Sequence, residues 1–371
     1  MDEPIRVLHV VTHMNRGGLE SMIMNYYRNM DRSKVQFDFL THRPEEEKKD
    51  YDEEIFSLGG KIFHIHKLNP FSYAYQKELD SFFKAHPEYQ IVHVHQDCLS
   101  GVILKIAKRN GINVRIAHCH SSSQDKGIKY FIKGYYKKNI KQYATKMFAC
   151  GNEAGKWMFE SDDFEVLPNA IDSDKYKFNA SKREAIRQQL GISNNCFVIG
   201  HVGRFCAVKN HRFIIEVFDE IRKLEHNSIC IFAGQGELFE DIKEEVKRRK
   251  LDEYVRFLGL RSDIPDILQA IDVFLLPSLY EGLPVSIVEA QAAGLKCFVS
   301  DKVPMDCAIT NLVEQIKLED GSKYWAKKII ESIDYERKNT IDQIKAAKFD
   351  IQENAVYLQN YYLDEMKIMS I

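Results

Sequence analysis

The sequence has almost no net charge, no closely spaced cysteine pairs and no long apolar run. Lysine and arginine total 52 and aspartate and glutamate 54, which gives a formal net charge of −2. This balance gives no indication of a nucleic-acid partner. The 8 cysteines are scattered without a Cys-x-x-Cys pair, which predicts reduced core thiols rather than a disulfide framework or a zinc site. No apolar run approaches the length of a transmembrane helix.

The rest of the composition is that of an ordinary globular protein. A chain of 371 residues is long enough for two domains. Its hydrophobic content of 44% and charged content of 29% are typical of soluble proteins. The start of the chain is acidic and its apolar run ends at Thr12, so we expect no secretory signal and a cytoplasmic protein.

The first half of the sequence alternates between strand-like and helical patterns. Short β-rich runs occupy residues 5–11, 35–41, 61–65, 91–95, 114–119 and 146–150. This alternation predicts an α/β fold with a doubly wound parallel sheet, whose ligands bind at the carboxyl ends of the strands. Gly17 and Gly18 follow the first strand and precede a helix over 19–30. Such a loop can bind a phosphate, although a Gly-Gly turn that only connects a strand to a helix has the same sequence pattern.

Two histidines stand at predicted strand ends. His95 closes the run 91–95, and His120 follows the run 114–119 and begins a polar serine loop. A lone histidine at such a position is often structural. His118 lies two residues before His120 and would share its face of the strand, so the sequence leaves open which of the two faces a ligand.

A basic and aromatic helix is predicted over residues 126–146. Its lysines have no acid between them, and tyrosines, isoleucines and a phenylalanine alternate with them. Such a helix fits an anionic membrane surface, and the alternative is a solvated helix whose aromatics face the core. The lysines assigned to the membrane-facing surface are Lys129, Lys133, Lys137, Lys138 and Lys141.

The second half begins with a strand over 197–202 that leads into Gly203, Arg204 and, before a helix over 211–224, Lys209. Arginine can bind a phosphate through two nitrogens and lysine acts as a point charge, so these cations could stabilise a diphosphate. Two solvated surface cations are the alternative. The next strand, 229–233, is followed by Gly234 and Gly236 in a Gly-x-Gly-Glu turn.

The stretch 277–294 follows an apolar strand over 273–276. It contains Glu281, Gly282, Leu283 and Pro284 and then a helix that carries Glu289 and ends at Gly294. The free amides at the start of this helix favour an anion. Two glutamates eight residues apart also occur by chance in charged helices, so this spacing needs the support of the other motifs.

Taken together, these motifs resemble the retaining glycosyltransferases grouped as family 4, the group 1 glycosyltransferases. The resemblance implies that Glu281 contacts donor-sugar hydroxyls, that Gly282, Leu283 and Pro284 present amides to the sugar, and that Glu289 holds the ribose. It implies that Arg204 and Lys209 stabilise the diphosphate and that His120 lies near the reacting carbon. It also implies donor contacts for Gly17, Gly18, Gly203, Gly234, Gly236 and the segment around Arg261.

Two positions depart from the family pattern. Ala170 replaces the usual glycine in the segment that crosses between domains, and Leu295 and Lys296 stand where proline is common. The triplet Asp172-Ser173-Asp174 resembles a metal-binding D-x-D, but we interpret it as turn chemistry. We expect no metal and no cofactor.

The sequence therefore predicts a GT-B protein, in which two Rossmann-like doubly wound parallel-sheet domains face a central cleft. Residues 1–170 would form the acceptor domain, with helix 351–371 packing back on it, and residues 171–350 the donor domain. The expected reaction is transfer of a hexose from a nucleotide-diphospho-sugar, with UDP favoured, to an acceptor hydroxyl with retention.

The expected acceptor is a lipid-linked or saccharide molecule in bacterial exopolysaccharide or capsule assembly, at the inner face of the cell membrane. Two alternatives are a GT-B nucleotide-sugar epimerase and a non-catalytic partner subunit that binds a nucleotide sugar or polysaccharide. The usual epimerase carboxylates are not evident, and the presence of Glu281, Glu289, Arg204 and Lys209 argues against a non-catalytic role.

Overall fold

A computed structural model describes residues 3–15, 17–43, 49–121 and 134–369. The chain divides into two compact units. The first comprises Met1–Ala170 and Ile351–Ile371, and the second comprises Ile171–Asp350. Within the described residues, no helix has both the length and the apolar character that a membrane-spanning segment requires.

The first unit is built on a seven-stranded parallel sheet with the strand order β3-β2-β1-β4-β5-β6-β7. Its strands are β1 (Ile5–Val11), β2 (Val35–Thr41), β3 (Ile62–His64), β4 (Ile91–Val94), β5 (Val114–Cys119), β6 (Lys146–Ala149) and β7 (Glu165–Val166). The central strands are apolar along nearly their whole length because helices cover both faces of the sheet.

The helices of this unit connect successive parallel strands, and one comes from the far end of the chain. They are α1 (Gly18–Asn29), α2 (Asp52–Ser57), α3 (Tyr73–Ala85), α4 (Ser100–Arg109), α5 (Ile140–Tyr143), α6 (Asn152–Phe159) and the C-terminal α15 (Ile351–Met369). Residues 134–138 are also helical. Helix α15 lies beside α1 and buries Leu358 and Tyr362 in the same core cluster as Phe37 and Phe39.

The second unit has a six-stranded parallel sheet with the order β10-β9-β8-β11-β12-β13. Its strands are β8 (Phe197–Val202), β9 (Ser228–Ala233), β10 (Val255–Phe257), β11 (Val273–Leu276), β12 (Lys296–Ser300) and β13 (Val313–Ile316). Its helices are α7 (Ser173–Tyr176), α8 (Ala180–Gln189), α9 (His211–Leu224), α10 (Phe239–Arg248), α11 (Ile264–Ala270), α12 (Val285–Ala292), α13 (Gly321–Ile330) and α14 (Ile341–Ala346).

The predicted fold class is confirmed, since each unit is a doubly wound parallel sheet. The apolar runs predicted the central strands to within one or two residues. They did not predict the edge strands β7 and β13. In β13 the two middle side chains, Glu314 and Gln315, are exposed, so an edge strand with little apolar surface gives no periodic signal.

The expected chemistry of the cysteines also agrees with the structure. No disulfide joins the eight cysteines, all of which lie within the described residues, and seven of them are buried. Their environment is that of small apolar core residues.

Both sheets reverse their strand order at one point, and this point positions the sites. In the first unit the reversal lies between β1 and β4, and in the second it lies between β8 and β11. Ligands of open α/β sheets bind outside the carboxyl ends of the strands at such a reversal. The loops after these four strands are therefore the candidate sites.

Candidate functional site

The loops after β8, β9 and β10 are held together by their backbones. The amide of Gly203 donates to Ala233 at 3.0 Å, that of Phe205 donates to Gln235 at 3.0 Å, and that of Gly234 donates to Gly259 at 2.8 Å. A Cβ atom at Gly234, where φ is +147°, would lie 2.0 Å from the carbonyl oxygen of Gly203. At Gly236 it would lie 2.3 Å from that of Phe205. The glycines of the Gly-x-Gly turn thus permit this close contact between loops.

A second set of bonds ties the loop after β8 to the loop after β11. Leu279 donates its amide to the carbonyl of Val208 at 2.8 Å. The side-chain amide of Asn210, a residue with φ +54°, donates to the carbonyl of Pro277 at 3.2 Å. These bonds bring Lys209 to Glu281, and the ammonium lies 2.6 Å from a carboxylate oxygen. The two side chains are only 19% and 11% exposed, so little water screens the pair.

Arg204 behaves differently from Lys209. Its side chain is 72% exposed and lies 3.1 Å from Glu237, the glutamate of the Gly-x-Gly-Glu turn, which is also exposed. An exposed pair of this kind is weak. The Arg204 guanidinium can therefore leave Glu237 at little cost when an anion arrives.

Glu289 lies on α12, the helix that follows the Glu281 loop. Its carboxylate accepts a hydrogen bond of 2.6 Å from the hydroxyl of Tyr176. Burial raises the pKa of Glu289 to about 7, and the Tyr176 hydrogen bond lowers it in part. Tyr176 could not be predicted from the sequence, because it belongs to none of the motifs and contacts Glu289 only through the fold.

The other predicted donor contacts of this unit are arranged less directly. Arg261 forms two bonds with Asp263, of 2.7 and 2.5 Å, so its guanidinium already has a partner. Gly282 is half-buried and Leu283 is buried. Pro284 is also buried and stands at the N-cap of α12.

The two departures from the family pattern are accommodated without strain. Ala170 is not among the residues with positive φ, and its side chain is buried. Leu295 is buried and Lys296 begins β12. Asp172 and Asp174 of the D-x-D triplet pair with lysines, Lys175 at 2.9 Å and Lys345 at 3.2 Å.

In the first unit, the Gly17-Gly18 loop carries an unexpected carboxylate. Glu20 is buried near the start of α1, and a Cβ atom at Gly17 would lie 2.3 Å from its oxygen. His13 lies 3.3 Å from the same carboxyl group, whose pKa is raised to about 6 by burial. An acidic group therefore lies in this loop, and the donor contact of Gly17 and Gly18 stays a prediction.

Around β4 and β5, the structure gives His118 and His120 different surroundings. His118 is buried, and its Nδ1 lies 3.2 Å from His93 Nε2. His120 is half-buried, and its Nε2 lies 2.9 Å from His95 Nδ1. Asp97, which has φ +44°, accepts the His120 amide at 3.2 Å. His120 is thus the more accessible of the two histidines. The contact of its backbone amide with Asp97 was not predicted from the sequence.

These histidines and His9 of β1 are neutral. Burial lowers the pKa of His9 and of His120 to about 3, and it holds those of His93, His95 and His118 well below their usual range. Two groups of three bring their ring nitrogens within 4.8 Å of one another. They are His9, His93 and His95, and His95, His118 and His120.

The basic helix is described only in part. Lys129 and Lys133 lie outside the described residues, and Lys138 and Lys141 are exposed. Lys137 is only 13% exposed and lies 2.9 Å from Glu160, with its ammonium over the ring of Trp157. This side chain does not face outward, because the fold supplies an acid that is absent from the local sequence.

The sequence matches two families of known proteins. The model of the family "Glycosyl transferases group 1" matches residues 182–348, and that of "Glycosyltransferase Family 4" matches residues 16–175. The putative glycosyltransferase EpsF of Bacillus subtilis is 36% identical over 376 aligned residues, which cover 96% of each chain. The chain belongs to the group 1 glycosyltransferases.

Two further relatives of this glycosyltransferase have more specific names. An Escherichia coli enzyme named UDP-Gal:alpha-D-GlcNAc-diphosphoundecaprenol alpha-1,3-galactosyltransferase is 31% identical, and the alignment covers 66% of each chain. The capsular polysaccharide biosynthesis glycosyltransferase CapH of Staphylococcus aureus is 26% identical over 97% of this chain and 99% of its own.

Solved structures share the fold of this glycosyltransferase. Anabaena Alr3699/HepE, crystallised with UDP, aligns with a TM-score of 0.79 at 17% identity over 97% of this chain and all of its own. Sucrose-phosphate synthase from Thermosynechococcus elongatus aligns with a TM-score of 0.73 at 14% identity over 98% of this chain and 99% of its own. These likenesses confirm the GT-B fold that the motifs implied.

Proposed function

We propose that this glycosyltransferase moves a hexose from a nucleotide-diphospho-sugar, with UDP as the nucleotide, to an acceptor hydroxyl with retention. The second unit would hold the donor and the first unit the acceptor. The observation that carries the proposal is the half-buried Lys209–Glu281 pair of 2.6 Å at the strand-order reversal of the second unit. A cation and a carboxylate side by side are what a diphosphate linked to a sugar requires.

In this proposal Lys209 and Arg204 stabilise the diphosphate as it leaves. Lys209 is fixed by Glu281, while Arg204 is exposed and can turn from Glu237 to a phosphate. The first amides of α12 have no partner within the helix and add positive potential. Preorganised charge of this kind stabilises the negative charge that develops on the leaving group.

Glu281 and Glu289 bind the two sugars of the donor. Glu281 accepts hydrogen bonds from hydroxyls of the transferred hexose, and Glu289 accepts them from the ribose. One oxygen of Glu289 already accepts from Tyr176, which orients the carboxylate. Because a protonated carboxyl group loses acceptor capacity, we expect the ribose contact to require the ionised form.

The choice of UDP and of the acceptor is supported by the names of similar proteins. The E. coli relative is named for a UDP-sugar donor and a diphosphoundecaprenol-linked acceptor, and HepE was crystallised with UDP. CapH is named for capsular polysaccharide. We extend these to a lipid-linked saccharide acceptor in the assembly of a bacterial surface polysaccharide. Retention and a metal-free reaction follow from the family resemblance.

A lipid-linked acceptor would bring the first unit to the inner face of the membrane. The exposed Lys138 and Lys141, next to the exposed Tyr135, are the described part of the surface that would meet anionic lipid. Reversing both charges should reduce flotation with phosphatidylglycerol vesicles, whereas Lys137→Glu should act on stability instead. Unchanged flotation of the double variant would refute the membrane contact.

The test of the donor site is a thermal-shift series with UDP, GDP, ADP and their sugar conjugates, in the presence of EDTA. Ligand at about 100 times its Kd stabilises the folded protein by about 2.7 kcal/mol. We expect a shift with UDP and UDP-sugars that is lost in Lys209→Met and kept in Lys243→Met, an exposed lysine of the same unit. No shift with any nucleotide, or an equal shift in Lys209→Met, would contradict the proposal.

A product assay then tests the reaction itself. Transfer to a lipid-linked saccharide acceptor, followed by NMR of the new anomeric proton, should show the same configuration as the donor. Inversion would refute retention. Conversion of the nucleotide sugar in the absence of acceptor would indicate an epimerase instead.

A further inference from the structure

The five histidines at the strand ends of the first unit form two separate hydrogen-bonded chains. In one chain, His9 Nδ1 lies 3.0 Å from His95 Nε2, and His95 Nδ1 lies 2.9 Å from His120 Nε2. This chain crosses from β1 past the end of β4 to the end of β5. It therefore joins the buried core of the sheet to the half-buried His120.

A second hydrogen-bonded chain runs beside the first. The hydroxyl of Tyr362 on α15 lies 2.7 Å from His93 Nδ1, and His93 Nε2 lies 3.2 Å from His118 Nδ1. The two chains touch through ring faces, with the centres of His93 and His95 4.4 Å apart. No hydrogen bond between the two chains is found among the described residues.

The ring geometry favours hydrogen bonds over a bound metal. The centres of His9 and His95 are 5.3 Å apart and their planes differ by 14°, so the two facing nitrogens lie nearly on the line between the rings. A zinc ion would need to lie about 2.0–2.1 Å from each nitrogen, in a bent arrangement. The midpoint of a head-on contact of 3.0 Å is too close to both nitrogens.

Proton counting then links the three rings. A neutral imidazole carries one N–H and one lone pair, and each hydrogen bond between rings needs one of each. If His9 donates to His95, then His95 must donate to His120, and all three carry the proton on Nδ1. If the direction is reversed, all three carry it on Nε2. The chain therefore has two states, and its rings share one tautomer.

The ends of the chain show where the two states differ. His9 Nε2 and His120 Nδ1 are both buried and have no hydrogen-bond partner among the described residues. In either state one of them is an N–H and the other is a lone pair. Of the two unsatisfied ends, the one at His120 belongs to the more exposed residue, since His120 is half-buried and His9 is buried.

We propose that His95 and His9 are positioning residues that set the tautomer of His120. A ligand hydroxyl that donates a hydrogen bond to His120 Nδ1 then selects the state in which all three rings carry Nε2–H. The bond that forms is the hydroxyl O–H to the Nδ1 lone pair, and no proton leaves the chain. This inference rests on the proposed function and on the family resemblance, which implies that His120 lies near the reacting carbon. The chain holds a tautomer and does not store charge, because an added proton would reside on a buried ring.

The test uses the full-length protein labelled with 15N at histidine. Long-range proton–nitrogen correlation spectra show which nitrogen of each ring carries the proton, and single substitutions such as His120→Gln assign the signals. We expect His9, His95 and His120 to show the same tautomer. Different tautomers within the three would overturn the proposal, as would a stoichiometric metal in the purified protein.

The matched variants are His9→Phe and His93→Phe. His9→Phe breaks the far end of the first chain and should change the tautomer populations of His120, which it does not touch by a hydrogen bond. His93→Phe disturbs the same ring packing but breaks neither bond of that chain, so it should leave the His120 tautomer unchanged. An unchanged His120 in His9→Phe, or the same change in both variants, would refute the coupling.

The consequence for turnover is read separately. His95→Leu should lower kcat about tenfold, the effect of one lost hydrogen bond, with the donor KM unchanged. His95→Gln, which can both donate and accept, should recover part of that loss. If the unsubstituted protein shows coupled tautomers but His95→Leu keeps full activity, the positioning role is refuted. Coupled tautomers in a protein that transfers no sugar even without substitution would instead count against the proposed function.

Discussion

The two units share one sheet topology and differ in the chemistry at the point where strand order reverses. In the first unit this point holds neutral histidines that hydrogen-bond to one another. In the second it holds an ion pair, Lys209 with Glu281, and a buried carboxyl group, Glu289 with the hydroxyl of Tyr176. The same point of the sheet topology thus carries neutral, hydrogen-bonded side chains in one unit and an ion pair in the other.

The difference teaches that burial decides which chemistry a strand end can carry. The histidines are enclosed, and desolvation removes their charge. Lys209 and Glu281 keep some contact with water and have each other as partners. A neutral array suits recognition of uncharged sugar hydroxyls, whereas the ionic site suits a diphosphate.

The largest expected effect is a difference in acid stability between the units. Burial lowers the pKa of seven histidines in the first unit and of two in the second. They are His9, His13, His42, His93, His95, His118 and His120, and His201 and His211. Their stabilisation is complete above pH 6.5, the ordinary histidine pKa, and is lost as the pH falls toward about 3.

Each such histidine lowers the free energy of unfolding by up to about 1.4 kcal/mol per pH unit, so the first unit should lose several kcal/mol more than the second. The chain offers one tryptophan in each unit, Trp157 and Trp325. Fluorescence of Trp325→Phe reports the first unit and that of Trp157→Phe the second. If the two fluorescence signals were lost at the same pH, the expected difference in acid stability between the units would be refuted.

The second prediction concerns the stability cost of Glu289. Its raised pKa of about 7 means that the protonated form fits the fold better. The contribution of the protonated Glu289 carboxyl group to the stability of the fold is complete below pH 4.5, the ordinary glutamate pKa. It is lost as the pH rises through 7. Glu289→Gln should therefore raise the free energy of unfolding at pH 8 by up to roughly 3 kcal/mol, with almost no gain at pH 4.5.

The same substitution should weaken UDP binding, because the neutral amide is a poorer acceptor for the ribose hydroxyls. Urea unfolding at pH 4.5 and pH 8, beside UDP titration, measures both effects. Glu240→Gln, an exposed carboxylate paired with Lys243, is the control and should change neither. Equal stability of Glu289→Gln and the unsubstituted protein at pH 8 would remove the evidence for a strained carboxylate in the second unit.

The smallest effect is expected for Tyr176→Phe. Its hydroxyl donates to Glu289 and lowers the pKa of that carboxyl group, so its loss should raise that pKa further and weaken UDP binding by about 1 kcal/mol at pH 7. The pH at which binding is half lost should move upward. Tyr324→Phe, on the exposed side of α13, is the control. An identical pH profile in both variants would show that Tyr176 does not orient Glu289.

The sequence alone determined the fold class and the main strands, because parallel strands that are covered on both faces form nearly continuous apolar runs. It also singled out Lys209 and Glu281, through the strand-end motifs that resemble those of the family, and their roles stay predictions. Their mutual contact is a tertiary fact, since 72 residues separate them.

Only the tertiary structure decided which side chains meet across the sheet. The strand order places His9 beside His93 in the register of β1 and β4, and the loop after β5 then brings His120 to His95. It also brings Glu20 against Gly17 and Glu160 against Lys137, contacts that the local sequence does not predict. Sequence periodicity reports which face of an element is buried, whereas the order of strands decides which buried faces become neighbours.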